Sequence, residues 1–319
     1  MKNKSLHSEI IQSEMQFKMH HEFPAELANQ WDELVTESKC DVPFLLFSCM
    51  QTWWETRGGG EWPDAQLMLI TAQREESLVG IAPLFLTTKK MGQPTLMLLG
   101  SIEIFDYLDL IARGEDLADF IDELLDFLVS PGVPDWQVLD LYNIIDFSPT
   151  LDLLKDQAQK RNWDILLEPV QPSPYITLPG DWDTYLAGIK KKQRHEIRRK
   201  LRRLEESGVD WRWYIVDDPS TLESEIEDFI KLMLQDESKM QFLREEMQEH
   251  MRRMGRCAFN EGFLQLSFLE IDGHKAATKM IFDYRNQLWA YNSGVNYQLG
   301  EYSPGWILLS LLLQWANER

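Results

Sequence analysis

Ser303, Pro304 and Gly305 stand directly before an apolar helical run at 306–315. Ser303 suits an N-cap, and Pro304 suits the first helical position, where a missing N–H costs nothing. Gly305 lets a ligand approach the freed N–H groups of that first turn. A strand feeding such a turn offers a seat for phosphate or pyrophosphate, although a purely structural strand-to-helix connection looks the same locally. Tyr291 falls on the strand expected at 288–295, where its phenol could protonate a leaving group. The plainer alternative is a hydrogen-bonded core tyrosine. Asp106, Tyr107 and Asp109 occupy the corresponding loop of the first half and are candidate substrate contacts.

A second feature is electrostatic. Residues 190–203 carry nine bases (Lys190, Lys191, Lys192, Arg194, Arg198, Arg199, Lys200, Arg202 and Arg203) against one acid, Glu196, in a chain of formal net charge −20. Ile197, Leu201 and Leu204 keep an apolar stripe at helical spacing. A solvated face is the ordinary reading of such a run. Against it, like charges three and four residues apart destabilise a helix by a few tenths of a kcal/mol per pair. An anion facing the helix would offset that cost. Nucleotide phosphates, a tRNA, an anionic glycan, a lipid surface or an acidic protein surface all fit. The net charge argues against general DNA binding.

Positioning these residues requires two similar halves. Helices are expected at 24–37 and 44–57, the second stopped by Gly58-Gly59-Gly60. Strands follow at 66–73, 78–88 and 95–99, then the Asp106 loop and a helix at 116–129. A strand at 136–143, a helix capped by Ser148 and a strand at 163–170 complete the half, and the Pro-rich stretch 171–174 links onward. The second half reads as a strand at 175–178, a helix capped by Asp181 or Asp183, the basic helix and a strand at 209–216. Two helices come next, the first opened by a Ser220-Thr221-Leu222-Glu223 capping box. Strands at 263–269, 276–284 and 288–295 then lead to the Ser303 loop. Each half thus runs two helices, three strands, a loop and a helix. The polar residues 1–20 are expected to be poorly ordered.

At 319 residues, with 44% hydrophobic and 26% charged residues, the chain fits two globular domains. No HExxH, paired CxxC, GxSxG or GxGxxG pattern occurs, so neither metal chemistry nor a nucleophilic triad is indicated. Three cysteines without metal-ligand spacing point to a reducing compartment. No signal peptide or membrane-spanning run is read, and a cytoplasmic location is expected.

Ser173-Pro174-Tyr175-Ile176, Leu178-Pro179, Trp182, Tyr185-Leu186, the arginine pairs 198–199 and 202–203, and Tyr302-Ser303-Pro304-Gly305 together form a pattern. It resembles the acetyltransferase-like domain associated with bacterial cellulose and exopolysaccharide biosynthesis, in the GNAT superfamily, with a more distant similarity to Fem-type aminoacyltransferases. The resemblance implies an α/β (α+β) fold of two tandem GNAT-like units, 18–170 and 171–319, each a mixed twisted sheet flanked by helices. It implies an acyl-CoA-dependent N- or O-acyltransferase, with acetyl-CoA or another acyl-CoA as donor and an amine or hydroxyl acceptor. Ser303, Pro304 and Gly305, with Arg194, Arg198 and Arg199, would hold the donor, and Tyr291 would protonate the leaving thiol. An aminoacyl-tRNA donor, or a non-catalytic role beside polysaccharide-synthesis partners, are the alternatives. Members of that family continue past this helix, so the second unit is expected to lack its last strands.

Overall fold

The computed structural model describes residues 14–90 and 92–319, which divide into two compact units: residues up to 57 with 62–168, and 58–61 with 169–319. The expected disorder at 1–20 lies outside the described residues as far as position 13. Beyond that it is corrected, because Gln16–His20 forms strand β1. Phe17 and Met19 alternate with outward Gln16 and Lys18, and Phe17 stacks on Phe120 and Phe127.

In the first unit β1 is followed by helices α1 (Ala28–Glu37) and α2 (Phe47–Glu55), then strands β2 (Gln66–Arg74), β3 (Ser77–Thr87), β4 (Thr95–Leu98) and β5 (Ile111–Ala112). Helix α3 (Leu117–Leu128), strand β6 (Val138–Asp140) and helix α4 (Pro149–Arg161) complete it. The sheet runs β1-β2-β3-β4-β6, with β5 also on β3. Its pairings are antiparallel except β4 with β6, so this sheet is mixed.

The second unit comprises α5 (Trp182–Gly188), the basic helix α6 (Lys191–Glu205), strand β7 (Trp211–Ile215), α7 (Leu222–Met233) and α8 (Glu245–Asn260). Strands β8 (Leu264–Ile271), β9 (His274–Tyr284) and β10 (Gln287–Val295) lead to the last helix, α9 (Pro304–Glu318). The strands follow the order β10-β9-β8-β7, and here every described pairing is antiparallel. Both units therefore place a strand, two helices, three consecutive strands and a helix in the same order. The repeat read from sequence holds, with β1 added in the first half as the counterpart of the strand already expected at 209–216.

The tight turns of the second sheet follow from residues that tolerate positive φ. Asp272 and Gly273 (φ 49° and 74°) join β8 to β9, and Arg285 and Asn286 (53° and 57°) join β9 to β10. One face of the sheet receives α9. Ile307, Leu308 and Leu312 pack on Leu269, Ile271, Ala277 and Ile281, with Leu204 of α6 beside them. Each such side chain contributes about 1.5–3 kcal/mol by leaving water. Helix α7 packs on β10 at Gly294.

Two expected strands are absent. Residues 163–170 and 175–178 run without regular structure, and Leu166 and Tyr175 are 78% and 89% exposed. Pro169 removes a ladder donor from the first of these segments, and Pro172 and Pro174 fall between the two. The capping box is also corrected. Thr221 makes no side-chain cap, and the Asp218 carboxylate accepts from Ser220 N instead.

A Cβ placed on Gly294 would lie 2.6 Å from the backbone of Leu232 and Met233. A helix backbone cannot yield as a flexible side chain does. Gly294→Ala is therefore expected to destabilise the second unit by about 3 kcal/mol, read as a lower urea midpoint with an unchanged slope.

Candidate functional site

Strand β10 ends at Val295, a short kinked 3₁₀ segment spans Tyr297–Tyr302, and α9 begins at Pro304. Ser303 occupies the N-cap position in the left-handed region (φ 56°, ψ 51°), but its hydroxyl caps nothing. This corrects the sequence expectation. Ser303 Oγ instead accepts a hydrogen bond from Lys200 Nζ of α6 at 2.7 Å. Trp306 N and Ile307 N both donate to the Ser303 carbonyl, and Pro304 has no N–H. Among the described residues this leaves the Gly305 N–H as the first-turn donor for a ligand. Gly305 also packs closely on β10, since a Cβ there would lie 3.1 Å from Val295 Cγ2.

An open cleft of about 420 Å3 surrounds this turn, lined by Lys279, Val295, Ser303, Gly305, Trp306 and Leu309 among others. That volume falls within the ~300–1,000 Å3 of small-molecule pockets. Apolar walls, one oriented N–H, the positive end of a fifteen-residue helix, Lys279 in the wall and Lys200 behind Ser303 suit a phosphate-bearing ligand. Neither lysine was singled out from sequence. Lys200 is one base among nine, and Lys279 is an isolated residue on β9 whose place on the face toward α9 becomes visible only once β9 is paired.

The three arginines assigned to the donor lie elsewhere. Arg194 Nη1 donates to the carbonyls of Leu186 and Ala187, closing the C-terminal end of α5. Arg199 is held by Glu196 at 2.7 Å, and exposed Arg198 lies 3.9 Å from Asp183. None of the three lines the cleft. The contact that α6 does make comes from Lys200, its one base placed next to the Ser303 turn.

Tyr291 also departs from its expected role. It is the extra residue of a β-bulge in β10, between Ala290 and Asn292 in the pairing with β9. Its ring packs 4.9 Å from Phe282, and its hydroxyl lies 3.3 Å from Nε2 of buried His250 on α8. It is not among the residues lining the cleft.

In the first unit, the Asp106 loop does not form one site. Asp106 is exposed, and Tyr107 stacks on Phe44 with ring centroids 6.0 Å apart. Asp109 is 2% exposed and turned inward, accepting from Ser148 Oγ at 2.5 Å and Leu110 N at 2.8 Å. Ser148 caps α4 through Thr150 N, as expected, so Asp109 ties the loop to that helix. Burial pushes the Asp109 carboxyl above its ordinary range. Among the described residues no group of His, Cys, Asp and Glu side chains could hold a metal ion, and no helix is long and apolar enough to cross a membrane.

Residues 191–319 match a family model described as an acetyltransferase (GNAT) domain, which supports a GNAT-type transferase domain in the unit that holds the cleft. Among solved structures, a crystal structure of FemX covers 91% of this chain and 84% of its own at 10% identity, with a TM-score of 0.62. A conserved protein of unknown function from Bacteroides thetaiotaomicron VPI-5482 covers 95% and 86% at 11% identity, with a TM-score of 0.52. At such identities the likeness is one of fold. No curated protein matches the sequence.

His250 generates a pH prediction. Full burial lowers its pKa from 6.5 to about 3. Between those values the unfolded chain binds a proton that the folded chain refuses, so stability falls as pH drops below 6.5. The loss is up to about 1.4 kcal/mol per pH unit. Urea denaturation of the wild type from pH 6.5 downward is expected to show this slope, and His250→Gln to lack it.

Proposed function

We propose that this chain transfers an acyl group from an acyl-CoA to an amine or hydroxyl acceptor, with the donor's pyrophosphate seated in the cleft at the first turn of α9. The observation carrying this reading is the joint placement of the Gly305 N–H, the helix N-terminus and the Lys200–Ser303 pair on one cleft. The match of this part of the chain to a GNAT domain supports it. Bringing acceptor and donor together lets the acceptor attack the thioester carbonyl directly, with the C–S bond breaking and the thiol leaving. Such a transfer needs no covalent enzyme intermediate, in keeping with a sequence in which no GxSxG pattern occurs.

Tyr291 serves in this reading as a positioning residue of the β10 bulge rather than as the proton donor, because its hydroxyl is already directed to His250. A second reading keeps the fold and takes an aminoacyl-tRNA as donor. The exposed bases of α6, Lys191, Lys192, Arg198, Arg202 and Arg203, favour it. Its mark would be affinity that falls steeply with salt.

Calorimetry with acetyl-CoA tests the first reading. Wild-type protein is expected to bind, and Gly305→Asp to bind at least about tenfold more weakly. Because a Cβ at position 305 would meet Val295 Cγ2 at 3.1 Å, urea denaturation of Gly305→Asp is run beside the calorimetry, and an unchanged midpoint assigns lost binding to the cleft rather than to unfolding. No heat from the wild type, or equal affinity for both proteins, contradicts the assignment.

A further inference from the structure

Lys279 is the group in the cleft whose charge the protein does not answer. It lies on β9 opposite Ser267 of β8 and Ser293 of β10, half-buried, and lines the cleft beside the α9 turn. Among the described residues no carboxylate pairs with its ammonium and no acceptor receives its protons. Lys200 differs, since it donates to Ser303 Oγ and lies 3.5 Å from Glu196, which also holds Arg199. Lys239 differs too, since it donates to Asn292 Oδ1 at 2.8 Å and to the Ser293 carbonyl at 2.5 Å. By doing so Lys239 brings a further positive charge to the same end of the β9–β10 pair.

A half-buried ammonium without a partner is costly, and in a chain with 52 acidic residues a partner would be easy to supply. Instead, the features of an anion seat meet at one place: a cavity, an unanswered cation, an oriented N–H at a helix start, and Lys200 bonded to the Ser303 hydroxyl that lines it. We infer that Lys279 is a ligand-contacting residue that takes a phosphate oxyanion in this cleft and so selects a phosphorylated donor over a phosphate-free one. The inference rests on the donor reading for the donor's identity, but not for the anion site itself. Burial and the neighbouring Lys239 lower the Lys279 pKa, as expected of a cation awaiting a counter-charge. A carboxylate would satisfy one ammonium equally well. The cleft favours phosphate because the Gly305 N–H and the positive end of α9 face it beside Lys279, the setting in which helix N-termini hold phosphate groups.

The test compares wild type, Lys279→Met and Lys279→Arg in the full chain, with inorganic pyrophosphate as the binding probe. Transfer is followed from acetyl-CoA and from S-acetylpantetheine, a thioester without phosphate. Lys279→Met is expected to weaken pyrophosphate binding by about tenfold or more, the worth of one charge-assisted hydrogen bond, while Lys279→Arg retains most of it. The same loss should appear in kcat/KM with acetyl-CoA and not with S-acetylpantetheine. Should Lys279→Met fail to fold, amine labelling of the wild type gives the answer. Pyrophosphate must then slow labelling of Lys279 and leave exposed Lys191 unaffected. Unchanged pyrophosphate affinity in Lys279→Met, or labelling of Lys279 indifferent to pyrophosphate, overturns the inference. If pyrophosphate binds through Lys279 but neither thioester is used, the donor reading falls and the anion site stands.

Discussion

Burial of one face of α9 fixes the position of everything at the candidate site. Ile307, Leu308 and Leu312 are locked against β8 and β9, so the helix axis and its first turn cannot drift relative to the sheet. A helix dipole acts only over its first turn, and an oriented N–H is useful only where it is held. The close approach of Gly305 to Val295 carries that rigidity to the end of β10. Ser303, in its left-handed conformation, turns the chain and offers its hydroxyl to Lys200. Apolar packing therefore sets the geometry, and the charges act within it.

The charge distribution then acquires a physical sense. Most of the positive charge on α6 faces solvent or is tied locally, Arg199 to Glu196 and Arg194 to the end of α5. Only Lys200 reaches the α9 turn, and Lys279 joins it from the sheet. The basic run thus serves two ends: local structure through Arg194, and the cleft through Lys200. The exposed remainder can attract an anionic ligand from a distance without touching it once bound.

Much of this architecture was legible in sequence because it depends on local signals. The apolar alternation of β8 to β10, the Asp272-Gly273 and Arg285-Asn286 turns, and the Ser148 cap all appear where residue chemistry puts them. The order of elements also repeats between the halves as expected. What failed depended on partners that sequence does not reveal. Residues 163–170 have strand composition, but Pro169 and the lack of a paired neighbouring strand leave them without regular structure and largely exposed. Arginine spacing suggested a phosphate clamp, yet the rotation of α6 about its axis decides which base meets the cleft. Ile197 and Leu204, both buried, set that rotation and bring Lys200 inward. Lys279 gave no sequence signal, because only strand pairing shows which face it joins. Asp109 looked like an exposed loop acid and proved to be a buried tie to Ser148.

A donor phosphate seated at the first turn of α9, as proposed, would lie against the Gly305 N–H. The most direct measurement is the amide resonance of Gly305 in 15N-labelled protein during titration with acetyl-CoA. A downfield shift of the Gly305 N–H that saturates with binding, accompanied by Trp306, is the predicted result. A saturable titration that leaves Gly305 unmoved while amides of another region shift would contradict the account.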